Sequence, residues 1–168
     1  MTALLLAVLL LDAPPAARVP PPWTAEAIRV GSTPEKLPAY TVPELAVEYT
    51  TPYLRVVLAA NKAFREHKVL RPSEVDPRAW VPELRVAVGP RPAAAKGGAG
   101  ALPKSARFIL GAGEARAARM EADAVGLRAV FEVPGAAPAG GELEIRYAAP
   151  DGKETVERVA LDFRKTRW

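Results

Sequence analysis

The stretch from Thr50 to Val88 holds the one long helical pattern in the chain, and it constrains the fold more than any other segment. Tyr53, Val56, Val57, Ala60, Ala63, Phe64 and His67 recur at i, i+3, i+4, i+7, i+10, i+11 and i+14, a single apolar stripe at helical spacing. Arg55, Lys62, Arg65 and Glu66 fall on the opposite side. Thr51 offers an oxygen to the unpaired N–H groups of a first turn, and Pro52 suits the first helical position, where its missing N–H costs nothing. Lys68 places a cation near the expected negative end of the helix dipole. The spacing predicts a helix at about 51–68. A strand over Tyr53 to Ala59 is the competing reading, because Val56-Val57-Leu58 favours strands. The stripe, however, outlasts a typical strand of about five or six residues. His67, at the end of the stripe, is expected to be a structural, hydrogen-bonded histidine.

Elsewhere the apolar runs are short and alternate, which is the signature of half-buried strands. Ala27 to Val30 reads as a first short strand closed by Gly31-Ser32, and Ser32 to Glu35 could open a single turn. In Glu44 to Tyr49, Leu45, Val47 and Tyr49 share a face. Leu70 to Pro77 is turn-rich, with Ser73 as a cap for one brief helical turn. Leu84, Val86 and Val88 point inward from the next strand. Residues 93–104 are Gly/Ala-rich and read as a flexible loop, followed by a strand at Arg107 to Leu110 that Gly111 and Gly113 stop. Glu114 to Val125 fits helix or strand, and its β-rich surroundings favour the strand. Ala129, Phe131 and Val133 share a face, and Pro134 to Gly141 is a turn. The firmest pattern is a C-terminal hairpin, Glu142–Tyr147 against Thr155–Phe163 across Pro150-Asp151-Gly152-Lys153, since Asp-Gly between alternating runs is a hairpin turn signal. The 18 prolines, about twice a usual usage of roughly 5%, are spread along the chain and imply many short elements. The expected fold is mainly β, with α+β as the alternative. It is an immunoglobulin-like antiparallel β-sandwich with one helix at about 51–68 and the C-terminal hairpin.

The organisation that follows is a signal-like segment at 1–17, a Pro-rich linker at 18–22 and a single β-rich domain at 23–168. Ala3 to Leu11 is unbroken apolar sequence followed by small residues, which resembles the core and cleavage regions of a secretory signal, with Ala17 the best cleavage site. No Lys or Arg precedes the run, and Asp12 and Pro14-Pro15 interrupt an Ala-x-Ala pattern. The run is far shorter than the roughly 20 residues a spanning helix needs, so uncleaved it could anchor in one leaflet or pack as a buried strand.

The residue inventory removes whole chemistries. With no cysteine, thiolate nucleophiles, disulfides, iron–sulfur clusters and cysteine-based zinc sites are excluded. With one histidine, so are sites that need a His pair. Carboxylates alone could hold calcium or magnesium, but no loop with that spacing occurs. Ser32, Ser73 and Ser105 sit in Pro- or Gly-flanked loops, and a triad built on His67 has no sequence support. Glu142 and Glu144 have the chemistry of a glycosidase pair, yet alternating Glu on a hairpin is ordinarily its solvent side. Gly97-Gly98-Ala99-Gly100 lacks the Gly-Lys-Ser/Thr ending of a phosphate loop. No cofactor is expected.

Between Arg55 and Arg91 eight Lys/Arg face four Asp/Glu, which accounts for the whole net charge of +4. The bland reading is a solvated helix face; the sharper one is a contact surface. Candidate partner-contact residues are Arg55, Lys62, Arg65, Arg71, Trp80, Arg164, Lys165, Arg167 and Trp168. The expected role is a non-catalytic accessory or structural subunit of a bacterial cell-envelope or membrane-associated assembly. It would be periplasmic or otherwise extracytoplasmic, with a protein partner and contact with a membrane surface; nucleic acid is disfavoured. The alternatives are a carbohydrate- or small-ligand-binding module using Trp23, Trp80 and Trp168, and a hydrolase using Glu142 and Glu144.

Overall fold

The computed structural model describes residues 19–34, 41–42, 46–91, 100–111, 113–133 and 138–168. The signal-like segment, Leu45 and most of the loop expected at 93–104 lie outside them.

Two antiparallel sheets form the body of the described part. The first is five-stranded, in the order β1 (Thr41–Val42), β2 (Val47–Thr50), β3 (Glu83–Val88), β7 (Leu127–Glu132), β6 (Arg116–Ala122). The second is four-stranded, in the order β5 (Gly113–Glu114), β4 (Leu102–Leu110), β8 (Gly140–Ala148), β9 (Glu154–Asp162). Alternation decides which side of each strand is buried. Leu84, Val86 and Val88 of β3 and Leu127, Ala129 and Phe131 of β7 face Ala106 and Phe108 of β4 and Leu143, Ile145 and Tyr147 of β8 in one apolar core. Phe108 and Phe131 meet across the two sheets, ring centroids 5.9 Å apart. The mainly-β expectation is met. The hairpin of β8 and β9 pairs Glu142 with Ala160 through Ala148 with Glu154, closed by Gly152 at φ +81, which glycine adopts without strain.

The helix at the centre of the sequence argument is α2, Pro52–Arg65. Thr51 caps it, accepting from Leu54 N at 3.2 Å, and Pro52 occupies its first turn. Tyr53, Val56, Val57 and Ala60 are buried as the stripe predicts, but the burial fades toward the C-terminus and Phe64 and His67 are exposed. The helix ends three residues earlier than expected. Lys68 N donates to Ala63 O at 2.9 Å and His67 N to Phe64 O at 3.0 Å, the paired bonds of a Schellman motif. His67 takes the left-handed position at φ +57 that this motif requires. It therefore closes the helix through its backbone, and its side chain is not part of the core.

Other expectations are corrected. Ala27 to Val30 is helical, inside α1, Thr24–Gly31. Thr24, Ala27, Ile28 and Gly31 are its buried residues, at i, i+3, i+4 and i+7, a helical stripe that four residues alone could not reveal. Gly31 explains why α1 lies so close on α2: a Cβ there would sit 2.2 Å from Val57 O and 2.7 Å from Ala60 Cβ. Asn61 Nδ2 then reaches Gly31 O at 3.2 Å. The loop expected through residue 104 ends sooner, because Leu102 and Pro103 already pair with Ala148 and Tyr147. A 3₁₀ turn at Pro72–Glu74 is held by Arg71 N donating to the Glu74 carboxylate at 2.8 Å, not by Ser73. A second turn, Pro77–Trp80, is capped by Asp76. Glu114 to Val125 is mostly strand, as its surroundings suggested. A last turn, α3 at Phe163–Thr166, brings the chain end back over the core.

Candidate interaction surface

The outer faces of the two sheets differ from the helical side in how their charges are matched. On the second sheet, Arg158 reaches Glu144 at 3.2 Å and Glu142 at 3.7 Å, Arg107 reaches Glu144 at 3.8 Å, and Arg146 reaches Glu154 at 3.6 Å. Arg107 Nε also bonds Glu114 at 2.9 Å, which holds that carboxyl below the usual carboxylate range. The two glutamates with glycosidase chemistry are thus tied into a cross-strand lattice of ion pairs. On the first sheet Arg116 pairs with Glu132 at 3.7 Å and Arg119 with Glu121 at 2.6 Å. Register explains the matching: opposite charges stand directly across the ladder, as at Arg107 and Glu144 or Glu144 and Arg158.

The helical side is not matched in this way. Lys62, Arg65, Arg71 and Arg78 are exposed and make no salt bridge among the described residues. Glu66, the acid nearest to Lys62 and Arg65 in sequence, pairs directly with Lys68 at 3.0 Å and meets Lys62 only as a more distant charge. Leu58, Lys62 and Arg65 follow one another at i, i+4 and i+7 on one exposed face of α2, with Leu58 44% exposed. Phe64 is 40% exposed and Val69, just past the helix end, 84%.

The other candidate residues are placed differently. Arg55 is not on the solvent face: it is only 9% exposed, donates to Val81 O, and reaches Glu83 at 3.4 Å. Its burial, with Arg85 nearby, lowers its pKa to about 10. The chain between the 3₁₀ turns and β3 passes over this side of the helix, which is why an outward heptad position is covered. Trp80 is half-buried against the core, with its Nε1 buried and unpaired among the described residues. Trp168 packs on Phe163 at 4.9 Å, and Trp23 packs on Tyr53 at 5.8 Å. All three indoles thus lean on the core. Arg167 bridges to Glu26 of α1 and lies 5.4 Å over the Tyr53 ring of α2. Arg164 is exposed and turns back on its own Asp162 at 3.2 Å. Lys165 lies in α3, its side chain outside the described part. Of the nine residues, the fold leaves Lys62, Arg65 and Arg71 free on the helical side and commits Arg55 and Arg167 to internal contacts.

One feature escaped sequence reasoning. An open hollow of about 490 Å³ lies over Ala46–Glu48, Ala87–Gly89 and Gly126–Arg128, walled by Glu121, Asp123 and Val125. Asp123 accepts from Val125 N at 2.7 Å and Gly126 N at 3.0 Å, and these two bonds hold its carboxyl below the usual range. Asp-x-Val-Gly marks this turn in the sequence, but nothing there brings it beside Ala46 and Gly89. Among the described residues no group of His, Asp and Glu could hold a metal ion, and no helix is long and apolar enough to cross a membrane.

Compared with known proteins, the chain matches no family model, no curated protein and no solved structure.

Proposed function

We propose that this chain is an exported, immunoglobulin-like β-sandwich that serves as a non-catalytic accessory or structural subunit of a bacterial cell-envelope assembly, docking through its helical side. The strand order supports the fold: with the two-residue edge strand β1 set aside, β2-β3-β7-β6 over β5-β4-β8-β9 parallels the A-B-E-D over C′-C-F-G order of such sandwiches, with α1 as a leading helix and α2 inserted between A and B. The observation that carries the docking surface is the contrast in charge matching. Most cations on the sheets have a carboxylate partner, Lys104 and Arg128 excepted, whereas Lys62, Arg65, Arg71 and Arg78 all stand without salt bridges among the described residues, beside exposed Leu58, Phe64 and Val69. Uncompensated surface charge raises encounter rates with an oppositely charged partner and selects for it. The apolar run Ala3–Leu11 supports export.

The test is purification of the tagged full chain from membrane and soluble fractions under native conditions, with mass and stoichiometry measured. The expected result is a partner in constant ratio, found in the envelope fraction. Free monomer in the cytoplasm would sink the proposal.

The hollow over Ala87 and Gly126 favours a second reading, a small-ligand-binding module, since its volume falls within the range of about 300 to 1,000 Å³ typical of ligand sites. Its polar rim of Glu48, Glu121, Asp123 and Arg128 suits a hydroxylated ligand such as a sugar. A thermal-shift screen of mono- and oligosaccharides checks it: a shift that Ala87→Trp abolishes supports this reading, and no shift with any of them removes it.

A further inference from the structure

We propose that the exposed face of α2 and the segment after it form a contact site for an anionic lipid surface. This rests on the reading of the helical side as a docking side and names its partner. Three observations converge. Lys62, Arg65 and Arg71 are exposed cations without salt bridges among the described residues, and with Lys68 and Arg78 they outnumber the exposed Glu66, Glu74 and Asp76 of the same segment, so the charge complement of this side is an anion. Leu58, on the same helix face as Lys62 and Arg65, and Val69 beyond the helix end are exposed at 44% and 84%. Apolar side chains interleaved with cations are what a helix lying in a headgroup region presents, the first entering the acyl boundary and the second meeting phosphate.

The third observation comes from the sequence ahead of α1. Ala3 to Leu11 is nine apolar residues, too few to span a bilayer, which needs about 20. Left uncleaved, such a single short hydrophobic anchor gives only marginal membrane binding, and stable attachment takes a second signal such as a basic patch. α1 itself packs through Gly31 on α2, the element that carries the patch.

The experiment is co-sedimentation of the full chain with vesicles of phosphatidylcholine alone and of phosphatidylcholine with phosphatidylglycerol, at low and high salt. The expected result is binding that requires phosphatidylglycerol and weakens as salt rises. Lys62→Gln/Arg65→Gln is expected to weaken it about thirty-fold, because each basic residue near an anionic surface contributes about a factor of five. Leu58→Ser/Val69→Ser should weaken it on both salt settings alike. Lys104→Gln/Arg116→Gln, which removes the same charge from the sheets, should leave it unchanged. Equal binding to both vesicle types, or wild-type affinity in Lys62→Gln/Arg65→Gln, overturns the proposal. The two proposals fail separately: a stoichiometric protein partner with no vesicle binding refutes the lipid contact alone, and vesicle binding by a partnerless monomer refutes the subunit role alone.

Discussion

Arg55 shows how one side chain can change meaning between sequence and structure. By heptad position it belongs with Lys62 and Arg65 on the outer face of a helix, yet Val81 O and Glu83 receive it in a nearly closed seam. A buried guanidinium removed without replacement leaves unpaired acceptors and a gap. Arg55→Ala is therefore expected to lower unfolding stability by about 2 kcal/mol, while Arg55→Met, which fills the volume and removes the desolvated charge, should cost about 1 kcal/mol or less. Urea denaturation of the two variants checks this; no loss in Arg55→Ala would place the residue back among surface contacts. Asp123 makes a pH-dependent contribution. Its folded-state pKa is lowered by the N–H groups of Val125 and Gly126, so the stabilisation is fully present above its unfolded value of about 3.9 and is lost as pH falls through the lower folded value. The stability difference between the wild type and Asp123→Ala should therefore be constant at neutral pH and shrink only in acid. A difference that instead grew on acidification would contradict the assignment.

At the scale of elements, the helix pair depends on one missing methyl group. A Cβ at Gly31 would meet the backbone of α2, which cannot rotate away as a side chain end can. Gly31→Ala should thus force α1 off α2 and destabilise the protein by about 2 to 3 kcal/mol, in spite of alanine's better helix propensity. Thermal unfolding measures it, and a gain in stability would show that α1 is not packed this way. The helix end teaches a related lesson. The sequence stripe continues to His67, but the Schellman bonds close α2 at Arg65 and a histidine holds the left-handed position more often given to glycine. Periodicity locates a helix well and locates its end poorly, since capping is set by backbone bonds that no hydrophobic pattern records.

For the whole molecule, the chain end acts as a junction. Phe163 touches Tyr49 and Phe108, Trp168 packs on Phe163, and Arg167 reaches Glu26 and Tyr53, so both sheets and both long helices meet there. Trp168→Ala should cost about 2 kcal/mol, while Arg167→Ala should change little because solvent screens that pair. Guanidinium unfolding of both separates packing from charge; equal effects would mean the junction is electrostatic. Much of this architecture was legible beforehand. Alternation exposed the inward faces of β3, β7 and the β8–β9 hairpin, and the stripe with Thr51 and Pro52 exposed α2, because side-chain periodicity and capping are local properties written in consecutive residues. The four residues Ala27 to Val30 were too short a window to distinguish strand from helix, and the hollow beside Asp123 joins segments distant in sequence. Likewise, composition placed the excess charge between Arg55 and Arg91, and only the packing decided which of those cations remain free. Local pattern thus determined what each segment would become; burial and ion pairing, which depend on what other segments cover, were decided by the tertiary structure alone.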